Sequence, residues 1–152
     1  MIYVLFLVAA VCLYHPAAAT ELNSLIPVET LWITKENLTL TVEGESVKGS
    51  GASWETAMED LQEAANGEVF LETVDRIVIS VEAADCLKEL RDDGKLRPSV
   101  QLYLLRGEAS KTLDQFTAAH ESEATVENEG RIPVIEERDG RYRIAGTEQG
   151  AA

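Results

Sequence analysis

The segment from Glu68 to Gly107 constrains this chain more tightly than any other. Glu68-Val69-Phe70-Leu71 and Val74 to Ser80 are densely apolar, a helix-like stretch follows over Glu82 to Asp92, and Leu96-Arg97-Pro98 leads into Ser99 to Arg106. Val, Ile and Leu fill the two flanking runs almost without alternation, as in strands covered on both faces. Between them Ala83, Cys86, Leu87 and Leu90 recur at helical spacing, and the stretch is long enough for a parallel crossover, which should be right-handed. A residue before proline favours extended backbone, so Arg97-Pro98 launches the second strand. In it Val100, Leu102 and Leu104 share one face, with Tyr103 and Leu105 opposite. The unit reads as strand, helix, strand.

The flanks extend it. Leu25 to Thr34 is a strand with Pro27 near its start, where a missing N–H does least harm. Leu38, Leu40 and Val42 alternate at period two, and Lys35-Glu36-Asn37 is short enough for a hairpin loop. Glu45 to Ser50 can add a short strand. Ser53 caps a helix with the stripe Trp54, Met58, Leu61 and Ala65, which Asn66-Gly67 is expected to end through left-handed backbone. A third helix runs from Ala109 to Ala119, with Ala109, Leu113 and Phe116 inward and His120 closing it. Glu121 to Gly130 is polar and acidic, and reads as a mobile loop.

Asp139-Gly140 is a strong two-residue hairpin signal between Ile132-Pro133-Val134-Ile135 and Tyr142-Arg143-Ile144. It predicts the pairs Arg138–Arg141, Glu137–Tyr142, Glu136–Arg143 and Ile135–Ile144. The expected fold is mixed α/β: a small mixed sheet, about three helices, the central strand–helix–strand unit and a C-terminal hairpin. Residues 20–146 form one domain and residues 147–152 a tail.

The first nineteen residues stand apart. Ile2 to Tyr14 is apolar, His15-Pro16 interrupts it, and Ala17-Ala18-Ala19 offers the small residues that signal peptidase requires. Cleavage after Ala19 is expected. The run is shorter than the ~18 residues that span a bilayer. Retention as an anchor and lipidation at Cys12 are the other readings, and no Lys or Arg precedes the run. The chain is therefore read as extracytoplasmic, with membrane association only if this segment is retained or lipidated. Cys86 would be the mature chain's single thiol, which excludes an internal disulfide. A net charge of −14 argues against nucleic acid and anionic membranes as partners.

No motif for a known chemistry stands out: there is no phosphate loop, HExxH, paired cysteine or GxSxG pattern. Asn37-Leu38-Thr39 matches the glycosylation triplet, which is common by chance. The carboxylate pairs Glu59-Asp60, Asp92-Asp93 and Glu136-Glu137 fall on faces expected to be solvated. No catalytic, metal or cofactor site is expected. Arg97 and Arg106, at the two ends of one strand, are the candidate interaction residues. Arg97 could meet a partner's carboxylate or form an ion pair within the fold.

Several short motifs follow in order: Glu21 to Ile26, the turn Gly49-Ser50-Gly51-Ala52, the helix pattern Ala57-Met58-Glu59-Asp60-Leu61, Phe70-Leu71 running into Ile77-Val78-Ile79-Ser80, Arg97-Pro98 through Arg106-Gly107, and Ala109 to Leu113. Their order resembles the N-terminal domain of the C-subunit lipoproteins of spore-germination nutrient receptors, the Ger(x)C family. Thr20 stands where that family has its lipid-accepting cysteine, Glu72-Thr73 where it commonly has Gly-His, and its later domains have no counterpart here. The resemblance implies an exported mixed α/β domain with an assembly or sensing role and a protein partner in the cell or spore envelope. The other function compatible with the residues is a small extracytoplasmic module binding a peptide, a sugar or a cation.

Overall fold

The computed structural model describes residues 24–128 and 130–149. The expected leader over residues 1–19, with Cys12, lies outside them. Two sheets organise the chain. A seven-stranded sheet has the order β4-β3-β2-β6-β7-β8-β9, and β1 pairs with β5 apart from it. The strands are β1 (Leu25–Pro27), β2 (Thr30–Glu36), β3 (Thr39–Glu43), β4 (Lys48–Gly51), β5 (Glu68–Phe70), β6 (Arg76–Ser80), β7 (Gln101–Arg106), β8 (Arg131–Arg138) and β9 (Arg141–Gln149). The helices are α1 (Trp54–Ala64), α2 (Leu87–Asp92) and α3 (Lys111–Ala119), with 3-10 turns at Leu71–Thr73 and Val81–Cys86. Strands β2, β6, β7 and β8 run parallel, while β3 and β9 are antiparallel to their neighbours. A small mixed α+β fold results.

β6 and β7 form as adjacent parallel strands, but the expected helix over Glu82 to Asp92 is a 3-10 stretch, Val81–Cys86, followed by the short α2. Ile77, Ile79, Leu102 and Leu104 pack on one face with Ala57, Leu61, Leu87 and Leu90 from α1 and α2. Val78, Tyr103 and Leu105 pack on the other with Leu113 of α3, flanked by Trp32, Phe116 and Tyr142. Burial of each large aliphatic side chain contributes about 1.5–3 kcal/mol, so the two-sided strands carry much of the stability.

The two faces have a topological consequence. The connections β4–α1–β6 and β6–α2–β7 cross the first face, and β7–α3–β8 crosses the second. All three step in the same direction between parallel strands. The α3 crossing therefore has the opposite hand to the other two, although about 98% of such crossings share one hand. Tyr103 anchors it. Its hydroxyl accepts from the Ser122 N–H at 3.0 Å and lies 2.8 Å from the His120 carbonyl, at the end of α3.

Several local expectations need correction. Leu25 to Thr34 is two strands, because the N–H groups of Val28, Glu29 and Thr30 turn to the Thr73 hydroxyl and the Glu45 carboxylate. The first hairpin turns at Asn37-Leu38, where Asn37 has φ 55° and Leu38 is 82% exposed. Helix α1 ends in extended backbone at Ala65, with φ −75° and ψ 141°. The Gln62 side chain ties down the chain that follows, donating to the Gly67 carbonyl and accepting from the Val69 N–H. Helix α3 starts at Lys111, and Ala109 is exposed.

Residues 121–128 are not a free loop. Ser122, Ala124 and Val126 are buried, and the segment runs antiparallel to the start of β7, its Ala124 carbonyl accepting from the Leu102 N–H at 2.9 Å. The C-terminal hairpin has the expected turn and register, but β9 continues through Gly146 to Gln149, into the segment read as a tail. Pairing with β8 orders it.

Candidate functional site: the outer edge of the sheet

Two strands end the seven-stranded sheet, and they are built differently. Strand β4 has four residues, two of them glycine, and lies under α1. A Cβ on Gly49 would sit 2.2 Å from the Leu61 backbone nitrogen, so glycine is required for this approach. The Ser50 N–H donates to the Asp60 carboxylate at 2.8 Å. This edge is short, covered and capped.

Strand β9 has nine residues, all exposed except half-buried Tyr142, and no strand flanks its outer side among the described residues. Its geometry follows from the turn. Asp139 and Gly140 have φ 54° and 71°, the positive values of a two-residue hairpin turn whose flanking pair, here Arg138–Arg141, is hydrogen-bonded. Alternation along the ladder then leaves the N–H and C=O groups of Tyr142 and Ile144 pointing outward. Ala145 has no partner on β8, and a bulge lies there. Beyond it Val134 pairs with Gly146 and Pro133 with Thr147. Pro133 has no N–H to give, so Thr147 occupies a non-bonded position and its own polar groups also face outward, as do those of Gln149.

The side chains complete the edge. Ile144 is 49% exposed. Tyr142 leans across the second face, where its hydroxyl accepts from the Ser110 N–H at 2.9 Å and its ring meets Phe116 at 6.1 Å. On the first face Arg143 donates to Glu136 at 2.8 Å, and Arg106 lies 3.6 Å from Glu136 and 3.9 Å from Glu148. The Arg143 hydrogen bond, with the charges of Arg143 and Arg106, holds the Glu136 carboxyl below the usual range. This row of alternating charge borders the open ladder.

The two candidate arginines do not come together. Arg106 ends β7 and belongs to that charge row. Arg97 precedes the strand's other end, where it donates to the Val74 carbonyl and pairs with Asp75. Both remain partly exposed. Sequence reasoning found the hairpin but missed its edge, because strand order is not a local property.

Other surfaces offer less. Two grooves of about 460 and 650 Å³ run along α1, sharing Glu55, Met58 and Lys95 and lined further by Trp54, Glu59, Glu63, Glu68, Glu89, Asp92 and Asp93. Among the described residues no three His, Cys, Asp or Glu side chains converge as metal ligands. Cys86 is buried near the Lys35–Asp85 ion pair, and burial, aided by Asp85 and Glu89, pushes its thiol up to about 12. Such a thiol stays protonated and unreactive at neutral pH. Among the described residues no helix is long and apolar enough to cross a membrane. Comparison with protein families, with curated proteins and with solved structures finds no match to this chain.

Proposed function

We propose that this chain is an exported, non-catalytic assembly domain of the cell or spore envelope that works by pairing the outer edge of β9 with another polypeptide strand. The observation that carries the reading is the contrast between the covered edge at β4 and the open, nine-residue edge at β9. An exposed edge is a template for main-chain hydrogen bonds, and strand addition is a recurring mode of protein recognition. The envelope setting rests on the apolar N-terminal segment and on the resemblance of the motif order to germination-receptor C-subunits.

A photo-crosslinker placed at Ile144 in cells tests this, with one at the more exposed Leu38 as the control. The expected result is a discrete polypeptide adduct from position 144 that Thr147→Pro abolishes without lowering Tm. Equal labelling from both positions would overturn the reading.

The acidic grooves along α1 support a second reading, a module for a small cationic ligand, since seven carboxylates there surround the single Lys95. A ligand held there would raise Tm by mass action. A flat thermal-shift screen would sink it.

A further inference from the structure

We infer that the strand accepted by β9 is β9 of a second copy, giving a two-fold symmetric dimer with a continuous sheet. The inference rests on the reading of β9 as a pairing edge and names its occupant.

The argument is one of spacing. The outward-facing residues are Tyr142, Ile144, Thr147 and Gln149, separated by two, three and two positions because of the bulge at Ala145. A regular strand presents its polar groups every second residue and would match only half of this edge. The spacing reads the same in both directions. An antiparallel copy therefore matches all of it, in a register that sets Tyr142 against Gln149 and Ile144 against Thr147 of the other protomer. Four bonded residue pairs result, two from each half of the symmetric ladder.

The side chains agree with this register. Arg143 and Glu148 both lie on the first face, as their partners Glu136 and Ile132 on β8 require. The same register places Arg143 opposite Glu148 of the second copy, twice by symmetry. The row Glu136–Arg143 of one protomer then meets Glu148–Arg106 of the other with alternating sign. Opposite charges directly across an antiparallel pair are stabilising and like charges destabilising. On the second face half-exposed Ile144 meets Thr147, a β-branched pair suited to a sheet. A bulge normally protects an edge from unwanted strands. Here it selects for a strand with the same bulge.

Sedimentation equilibrium on the full chain, at concentrations up to about 1 mM, tests the inference. Wild type should form a dimer. Thr147→Pro removes an outward N–H without taking a bond from β8, and should weaken dimerisation at least about tenfold. Arg143→Glu and Glu148→Arg should each weaken it about tenfold or more, since each sets like charges opposite one another. Mixing those two variants should restore dimers, because both cross-protomer pairs of the mixed dimer again join opposite charges. The restored heterodimer also shows that both variants are folded. A monomeric wild type, a dimer indifferent to Thr147→Pro, or a mixture that stays monomeric would each overturn the inference. If wild type is monomeric while crosslinking from Ile144 still captures a different envelope polypeptide, self-pairing is wrong and the edge reading stands.

Discussion

The two edges of the sheet end the same ladder in opposite ways. At β4 the chain is four residues long, its glycines admit the α1 backbone, and Asp60 takes the Ser50 N–H. At β9 eight of nine residues are exposed, with a bulge and a row of charge as the modifications. A covered edge is sealed against every strand. An edge that is only bulged is sealed against regular strands, which makes it selective. Stability and recognition are thus separated across the sheet: changes at β4 should alter folding, and changes at β9 should alter association.

The largest expected effect is at the covered edge. Gly49→Ala drives a methyl group into the α1 backbone, which cannot relax as a flexible side chain could. A loss of about 3 kcal/mol or more is expected from overpacking, read from denaturant midpoints. Asp60→Ala should follow at about 1.5 kcal/mol, since it strips a charged acceptor from an edge N–H. At the open edge Gly140→Ala strains a residue with φ 71° and should cost about 1 kcal/mol. If Gly140→Ala destabilises more than Gly49→Ala or Asp60→Ala, the division of labour between the edges is wrong.

The smallest effect is electrostatic. The Glu136 carboxyl titrates below its ordinary value of about 4.5 because Arg143 and Arg106 favour the charged form. Its folded pKa lies below its unfolded one, so its contribution is complete above that value and is lost as pH falls through the folded pKa. Glu136→Gln should lower stability near neutrality, where that contribution is complete, and flatten the loss of stability with pH below about 4.5. An unaltered acid limb in urea titrations would mean that the charge row does not stabilise the hairpin.

Much of the fold was legible because it is locally encoded. Asp139-Gly140 favours positive φ at both turn positions, and the four predicted cross-strand pairs follow from that turn alone. The buried strands of the β6–β7 unit declared themselves by unbroken apolar runs. Residues 121–127 were misread although their signal was present: Ser122, Ala124 and Val126 alternate inward, masked by Glu121, Glu123 and Glu127 on the outward positions. The departure of β5 to pair with β1 has no local signature. Gly67 permits it by close approach, since a Cβ there would lie 2.0 Å from the Ser24 carbonyl oxygen, and not by the positive φ that its place after a helix suggests. The candidate edge was invisible for a different reason. Which strand lies outermost depends on the order of all seven, and the bulge that sets its spacing depends on a register shift beyond the turn.

Amide hydrogen exchange, followed residue by residue as protein concentration rises, compares the edges in one experiment. The Ser50 amide should be protected at every concentration, because its acceptor is the chain's own Asp60. The amides of Tyr142, Ile144, Thr147 and Gln149 should exchange freely in dilute solution and become protected together as dimers form. Open exchange of those four at all concentrations, or protection of them in the dilute monomer, would contradict the account.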